Sequence, residues 1–85
     1  MLRSGQKHKM GAALVTYDEM IAKATSLNIA PSDVGKRIIL KRMFGEVQEV
    51  KEAWIALNEA HNDSPPLDRI RAMLDRKVLA FSSIL

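Results

Sequence analysis

The sequence contains no cysteine, and this absence excludes two common ways of reinforcing a small fold. Neither a disulfide bond nor a thiolate zinc site can form, so the chain depends on its hydrophobic core and on association. A domain of 85 residues buries a core that is only marginally sufficient by itself. We therefore expect a homo-oligomer.

Aromatic residues and long apolar runs are also scarce. Aromatic side chains make up 5% of the sequence, so aliphatic residues and methionine must build the core, which suits helices. No apolar run reaches the roughly 20 residues that span a membrane. The first nine residues lack the apolar block of a secretory signal. We expect a cytoplasmic protein with no membrane partner.

Active-site motifs are missing from the sequence as well. Gly35 and Lys36 lack the upstream glycine of a phosphate-binding loop, because Ala30 stands at that position. The serines have no nucleophile-elbow context, and His8 and His61 have no partners at metal-ligand spacing. We expect neither an enzyme nor a bound metal or cofactor.

Apolar side chains recur at alternating three- and four-residue steps through the middle of the chain. Such a repeat keeps one edge of a helix facing a partner helix, as in bundles and coiled coils. It predicts a long central helix whose edge forms an oligomer or partner interface. The residues of this apolar stripe are Leu40, Met43, Val47, Val50, Trp54 and Leu57.

Two observations disagree about Gly45, which lies inside the repeat. Charge placement predicts a break, because Lys41 and Arg42 would then end one helix and Glu46 and Glu49 would begin the next, matching both helix dipoles. The repeat, however, crosses the glycine in register, and a glycine inside a helix costs only about 1 kcal/mol. We favour a continuous or mildly kinked helix. Two antiparallel copies would then pair basic with acidic halves, the alternative being solvated patches without a partner.

Residues that are typical of helix ends predict the boundaries of the remaining elements. A flexible basic arm is expected over 1–11 and a first helix over 12–27, ended by Asn28, which tolerates the left-handed conformation. Ser32 has the side chain of a helix N-cap, and Ser64 before Pro65 predicts the start of the last helix.

Together these signals predict the fold class. We expect an all-α domain over 12–85, a small bundle of three helices with a long central helix, or four helices if Gly45 breaks it. The bundle is expected to assemble as a helical homo-oligomer. A dimer is favoured, and its antiparallel arrangement is one of the two alternatives given above.

The segment 24–38 resembles a helix-turn-helix DNA-binding unit. Such units combine a small residue in the first helix, an apolar–Gly–apolar corner and apolar anchors in the second helix. Ala24 matches the small residue, Leu27-Asn28-Ile29 resembles the corner, and Val34 with Ile38 match the anchors. The second anchor is displaced by one residue, and a proline lies inside the turn. The resemblance implies that the second helix contacts DNA.

A basic cluster occupies the same predicted second helix. Cations at this density can contact successive backbone phosphates, and the basic arm would extend the same surface. The alternative is that these cations only solvate an otherwise apolar segment. The predicted nucleic-acid-binding residues are Lys36, Arg37, Lys41 and Arg42.

Two functions follow from these patterns. We expect a small oligomeric nucleic-acid-binding protein, with DNA the favoured ligand, acting as a regulatory or accessory factor of phage or plasmid type. The alternative is a helical protein–protein interaction module, such as an inhibitor, adaptor or assembly factor, that binds no nucleic acid.

Overall fold

The computed structural model describes residues 2–82, and every secondary-structure element in that range is a helix. A short 3-10 helix, Ser4–Lys9, leads into four α-helices, and the described residues contain no strand. The helices are α1 (Met10–Ser26), α2 (Asp33–Phe44), α3 (Gln48–Ala60) and α4 (Leu67–Ser82). The predicted all-α class is confirmed. No helix in the described range is long and apolar enough to cross a membrane.

The central helix is broken, so the favoured prediction of a continuous helix is wrong. Helix α2 ends at Phe44, and α3 begins only after Val47, which is extended at φ −76° and ψ 122°. Gly45 stays right-handed, and its N–H donates to the Lys41 carbonyl oxygen at 2.8 Å. A Cβ at residue 45 would collide with that same oxygen. The glycine therefore permits a tight end to α2.

The charge argument identified this break correctly. Lys41 and Arg42 lie in the last turn of α2, and Glu49 lies in the first turn of α3. Each short helix therefore has charges that favour its own dipole. The heptad argument failed because the two halves of the stripe pack separately, with both α2 and α3 contacting α4.

Helix α4 is the centre of the bundle, because it contacts each of the other helices. The buried side chains around it come from α1, α2, α3 and the α2–α3 junction, and Phe44 is the largest of those that are fully buried. They form one continuous core, which also includes Met10, Leu14, Tyr17, Leu40, Val47, Val50, Trp54, Ile70, Met73 and Leu74.

The end of α1 confirms the prediction made for Asn28. Its φ is 61°, in the left-handed region. The N–H of Ile29 donates to the carbonyl of Ala24 at 2.9 Å, and that of Asn28 donates to Thr25 at 3.0 Å, which together form a Schellman motif. Ser32 then caps α2 as predicted, since its hydroxyl accepts from the N–H of Gly35 at 3.3 Å.

The start of the last helix lies close to the predicted position, but its cap differs. Asn62 and Asp63 adopt positive φ angles of 52° and 64°, which reverse the chain. The carbonyl of Pro66 accepts from the N–H groups of Arg69 and Ile70, so α4 begins after Pro66. The prediction of Ser64 as the cap was therefore wrong by two residues.

The segment predicted as a flexible basic arm is packed against the bundle. The N–H of Leu2 donates to the Met43 carbonyl at 3.0 Å, and the 3-10 helix contacts α1 and α4. Lys7 Nζ lies 3.6 Å from Glu49 Oε2 and 5.3 Å from the centre of the Phe81 ring. Helix α1 also begins earlier than predicted, at the fully buried Met10. Burial of Leu2 and Met10 explains the difference.

Candidate nucleic-acid interface

The four predicted cations do not share one surface. Lys36 and Arg37 are half-buried, whereas Lys41 and Arg42 are exposed in the last turn of α2. Arg37 and Lys41 are four residues apart and therefore lie on one side of the helix. Lys36 and Arg42 project in other directions by helical geometry. Arg37 and Lys41 line one hollow, which Lys36 and Arg42 do not line.

A cation of α3 joins this pair across a shallow cleft between α2 and α3. Two adjoining hollows of about 170 and 110 Å³ form the cleft, and both are lined by Lys41, Trp54 and Asn58. Arg37 lines the larger hollow and Lys51 lines the smaller one. We call this surface the basic cleft, defined by Arg37, Lys41, Lys51, Trp54 and Asn58.

The charges of the basic cleft are unbalanced. Within residues 2–82, the ion pairs involve Lys7 and Arg71, and none involves Arg37, Lys41 or Lys51. Asp63 is the carboxylate that lines the cleft. The Nε of Arg37 is buried and has no hydrogen-bond partner in the described part of the chain. Three cations therefore face a cleft with one carboxylate, which favours an anionic ligand.

The floor of the basic cleft is part of the hydrophobic core. Trp54 is only 7% exposed and belongs to the same buried cluster as Val50 and Phe44. Because a buried indole cannot turn outward without disrupting this packing, it fixes the orientation of α3. The half-buried Asn58, one turn further along α3, has an amide that can donate hydrogen bonds.

Sequence reasoning missed Lys51 and Asn58 as site residues. Lys51 belongs to a segment dominated by glutamates, so its charge does not stand out in the sequence. The signal that could have found it is the charge pattern at Gly45, which predicts a break between two helices. A short connection at this break places the end of α2 beside the start of α3. Residues on both sides of the break then become neighbours.

The helix-turn-helix resemblance is not realised in the structure. Its two expected anchors are exposed, Val34 by 60% and Ile38 by 51%. The corner residues Leu27 and Ile29 are exposed as well, by 59% and 70%. The second helix instead buries Leu40 and Phe44 in the common core, which turns the expected anchors toward solvent. The prediction of a helix-turn-helix unit was therefore wrong.

The apolar stripe packs the interior of the same chain. Leu40, Val47, Val50 and Trp54 are buried in the core, and Met43 and Leu57 pack partly buried against it. These enclosed side chains cannot also contact a second chain in this conformation. The interface role predicted for the stripe is left with the accessible parts of Met43 and Leu57.

A larger groove of about 590 Å³ lies between α1, α2 and α4, but its charges are mixed. Lys36, Arg37 and Arg71 line it together with Asp33 and Asp68. The Arg71 guanidinium donates to both oxygens of Asp18 at 2.5 and 2.8 Å.

These bonds hold the pKa of Asp18 below its ordinary value, while burial raises the pKa of the Tyr17 hydroxyl beside them. In the groove between α1, α2 and α4, Arg71 is already paired and two carboxylates are present. This groove is therefore less suited to a polyanion than the basic cleft.

Comparisons with protein-family models, with curated proteins and with solved structures found no match for this chain.

Proposed function

We propose that this protein binds nucleic acid through the basic cleft, as a regulatory or accessory factor. One observation supports this proposal. Arg37, Lys41 and Lys51 come from two helices and line one cleft, and none of them forms an ion pair with a carboxylate of residues 2–82. Lysine and arginine in such a setting contact phosphate oxygens and release counterions.

Contacts with backbone phosphates position a protein on the nucleic acid but do not distinguish one base sequence from another. Because α2 does not belong to a helix-turn-helix unit, it is not positioned as a recognition helix, and we do not propose that it contacts base edges. Stacking of bases is not part of it either, because the Trp54 ring is almost fully enclosed. The proposed binding is electrostatic and salt-dependent.

Charge reversal at Lys41 tests this proposal against a matched control at Lys23. Both lysines are exposed and lie in the last turn of a helix, so each reversal changes the net charge and the helix-dipole interaction equally. We expect Lys41→Glu to weaken binding of a labelled DNA duplex by about tenfold and to lower the salt slope by about 1. Fluorescence anisotropy titrations over a salt series measure both effects.

The control variant Lys23→Glu should retain wild-type affinity within about twofold, with circular dichroism showing that both variants stay folded. The proposal fails if the wild-type protein binds no duplex at low salt. It also fails if the two reversals weaken binding equally, since net charge alone would then explain the interaction.

A protein-binding function is a second candidate, favoured by the apolar margins of the same cleft. Ile38 and Ile55 flank it and are 51% and 54% exposed, and Val34 continues the exposed edge of α2. Exposed apolar side chains that adjoin one another are typical of protein interaction surfaces.

Affinity capture with matched valine variants distinguishes this second function. Val34→Ser changes the exposed apolar edge of α2 that continues from the cleft, where Val34 is 60% exposed. Val15→Ser removes a valine of similar exposure, 55%, on α1. A partner that binds the wild type and Val15→Ser but not Val34→Ser would favour a protein ligand. Identical capture by all three proteins would exclude this margin as the binding surface.

A further inference from the structure

A second groove lies between α3 and α4, on the side of α3 away from the basic cleft. Its volume is about 510 Å³. Four alanines line it, with Leu57 and Met73 completing the apolar surface, so the backbone of another helix can approach closely. We call it the alanine groove, and its lining residues are Ala53, Ala56, Leu57, Ala60, Met73, Arg76, Lys77 and Ala80.

The two edges of the alanine groove carry opposite charges. Glu52 and Glu59 are exposed on α3, four residues before and three residues after Ala56, so they lie along its outer edge. Arg76 and Lys77 line the groove from α4. Glu59 and Arg76 take part in none of the ion pairs found within residues 2–82.

We propose that a second copy of this chain occupies the alanine groove, forming a two-fold symmetric dimer. Helices α3 and α4 are joined by the short turn 61–66 and pack against each other, so they run antiparallel. A two-fold axis parallel to these helices sets α3 of one copy against α4 of the other. The acidic edge of each chain then meets the basic edge of its partner.

Charge is the reason for choosing a second copy as the occupant. A partner helix carrying a single sign of charge would meet like charges along one edge of the groove, which disfavours binding. Two copies related by a two-fold axis satisfy both edges at once, and Glu59 of each chain faces Arg76 across the axis. No other surface is needed to close the assembly.

An exposed leucine gives the dimer an apolar contribution. Leu79 is 70% exposed and lies three residues from Arg76, along the same outer edge of α4. A second copy over the groove would remove this side chain and the alanine walls from water. This burial would also give a small chain without cysteines additional stability through association.

A charge swap tests the dimer directly. Glu59→Arg and Arg76→Glu each place like charges together at both symmetry-related contacts, so each should weaken dimerisation by at least about tenfold. The double variant exchanges the two signs and should restore the wild-type dissociation constant within a few-fold. Sedimentation equilibrium and light scattering over a concentration series measure the molar mass, and Glu19→Arg on α1 is the control reversal.

Steric variants keep the test independent of charge. Ala56→Arg places a long side chain in the groove and should yield a folded monomer, whereas Ala22→Arg alters another exposed alanine, on α1, and should leave the dimer intact. A wild-type protein that is monomeric at every concentration overturns the proposal, as does a double swap that fails to restore the dimer. Duplex binding is read separately, because Lys41 lies outside this groove.

Discussion

The two sides of α3 are built from different side chains and do different physical work. One side carries Lys51 and Asn58 and forms a wall of the basic cleft. The other side carries Ala53, Ala56 and Ala60 and forms a wall of the alanine groove. Between them, Val50 and Trp54 are buried in the core. A helix of 13 residues can present three such faces because successive side chains are rotated by about 100°.

The comparison also shows that the two surfaces depend on different connections. The basic cleft exists because the chain breaks at residues 45–47 and sets α2 beside α3. The alanine groove exists because the turn 61–66 returns α4 along the opposite side of α3. A change at the first connection should therefore alter the cleft and spare the groove. Changes in the shared core should affect both.

Removing the shared core is expected to produce the largest effect. Phe44 is fully buried at the end of α2, within the cluster that supports both sides of α3. Phe44→Ala should lower the free energy of unfolding by about 3–5 kcal/mol, through lost burial and the cavity left behind. Urea denaturation measures the change.

This loss is a large fraction of the roughly 5–15 kcal/mol that stabilises a small domain, so the Phe44→Ala variant should weaken duplex binding and dimerisation together. Ile55→Ala, at a residue that is 54% exposed, should change stability by less than about 0.5 kcal/mol. A similar small change at Phe44 would mean that the two sides of α3 do not share this core.

A change at the break should separate the two surfaces. In Gly45→Ala the new methyl group collides with the Lys41 carbonyl oxygen, so the last turn of α2 must shift. We expect a loss of about 1–2 kcal/mol in unfolding free energy, together with weaker duplex binding and unchanged dimerisation. Thermal unfolding, anisotropy and sedimentation measure the three properties.

Gly5→Ala is the matched control for the change at the break, because a Cβ at Gly5 meets no heavy atom within 4 Å. This substitution should leave stability unchanged or raise it by up to about 1 kcal/mol. If Gly45→Ala weakened duplex binding and dimerisation equally, the independence of the two surfaces would be refuted.

The smallest effect is expected at an ion pair that belongs to neither surface. Asp18 and Arg71 bind through two hydrogen bonds, but their side chains are 51% and 33% exposed, so the pair contributes only about 0.5–1 kcal/mol. Asp18→Asn should lower the melting temperature by a few degrees at pH 7 and leave duplex binding and dimerisation unchanged.

The effect of Asp18→Asn should also depend on pH. The hydrogen bonds from Arg71 hold the pKa of Asp18 below its ordinary value, so this stabilisation is present above the unfolded pKa and is lost as pH falls through the folded pKa. The difference from wild type should therefore shrink in acid. Melting curves at several pH values test this, with Glu19→Gln as the control, and a difference that persisted in acid would exclude the carboxylate as its source.

Local signals predicted the elements well wherever a few neighbouring residues decide the conformation. Asn28 ends α1, Ser32 caps α2, and the charges around Gly45 indicated the break between α2 and α3. The heptad repeat led to the wrong prediction of a continuous helix. The spacing of apolar residues indicates which side chains are buried, but it does not indicate which other helix covers them. Helix α4 is distant in sequence from α2, and its position cannot be inferred from their local patterns.

The candidate site was predicted only in part for the same reason. Arg37 and Lys41 were recognised from their types and spacing, but their neighbour Lys51 becomes visible only once α3 folds back beside α2. Lys36 and Arg42 were grouped with them because sequence proximity does not report direction around a helix. The exposure of Val34 and Ile38, which excludes the helix-turn-helix unit, likewise depends on how α2 packs.

The amino-acid sequence alone determined that this protein is helical, where α1 ends and α2 begins, and that aliphatic residues and methionine supply most of its core. These properties follow from propensities, caps and spacing, which act over a few residues. The tertiary structure decided that the apolar stripe closes on α4, that the N-terminal segment is packed, and that α3 separates a cationic cleft from a groove of alanines. These depend on contacts between residues far apart in the chain, which no local pattern encodes.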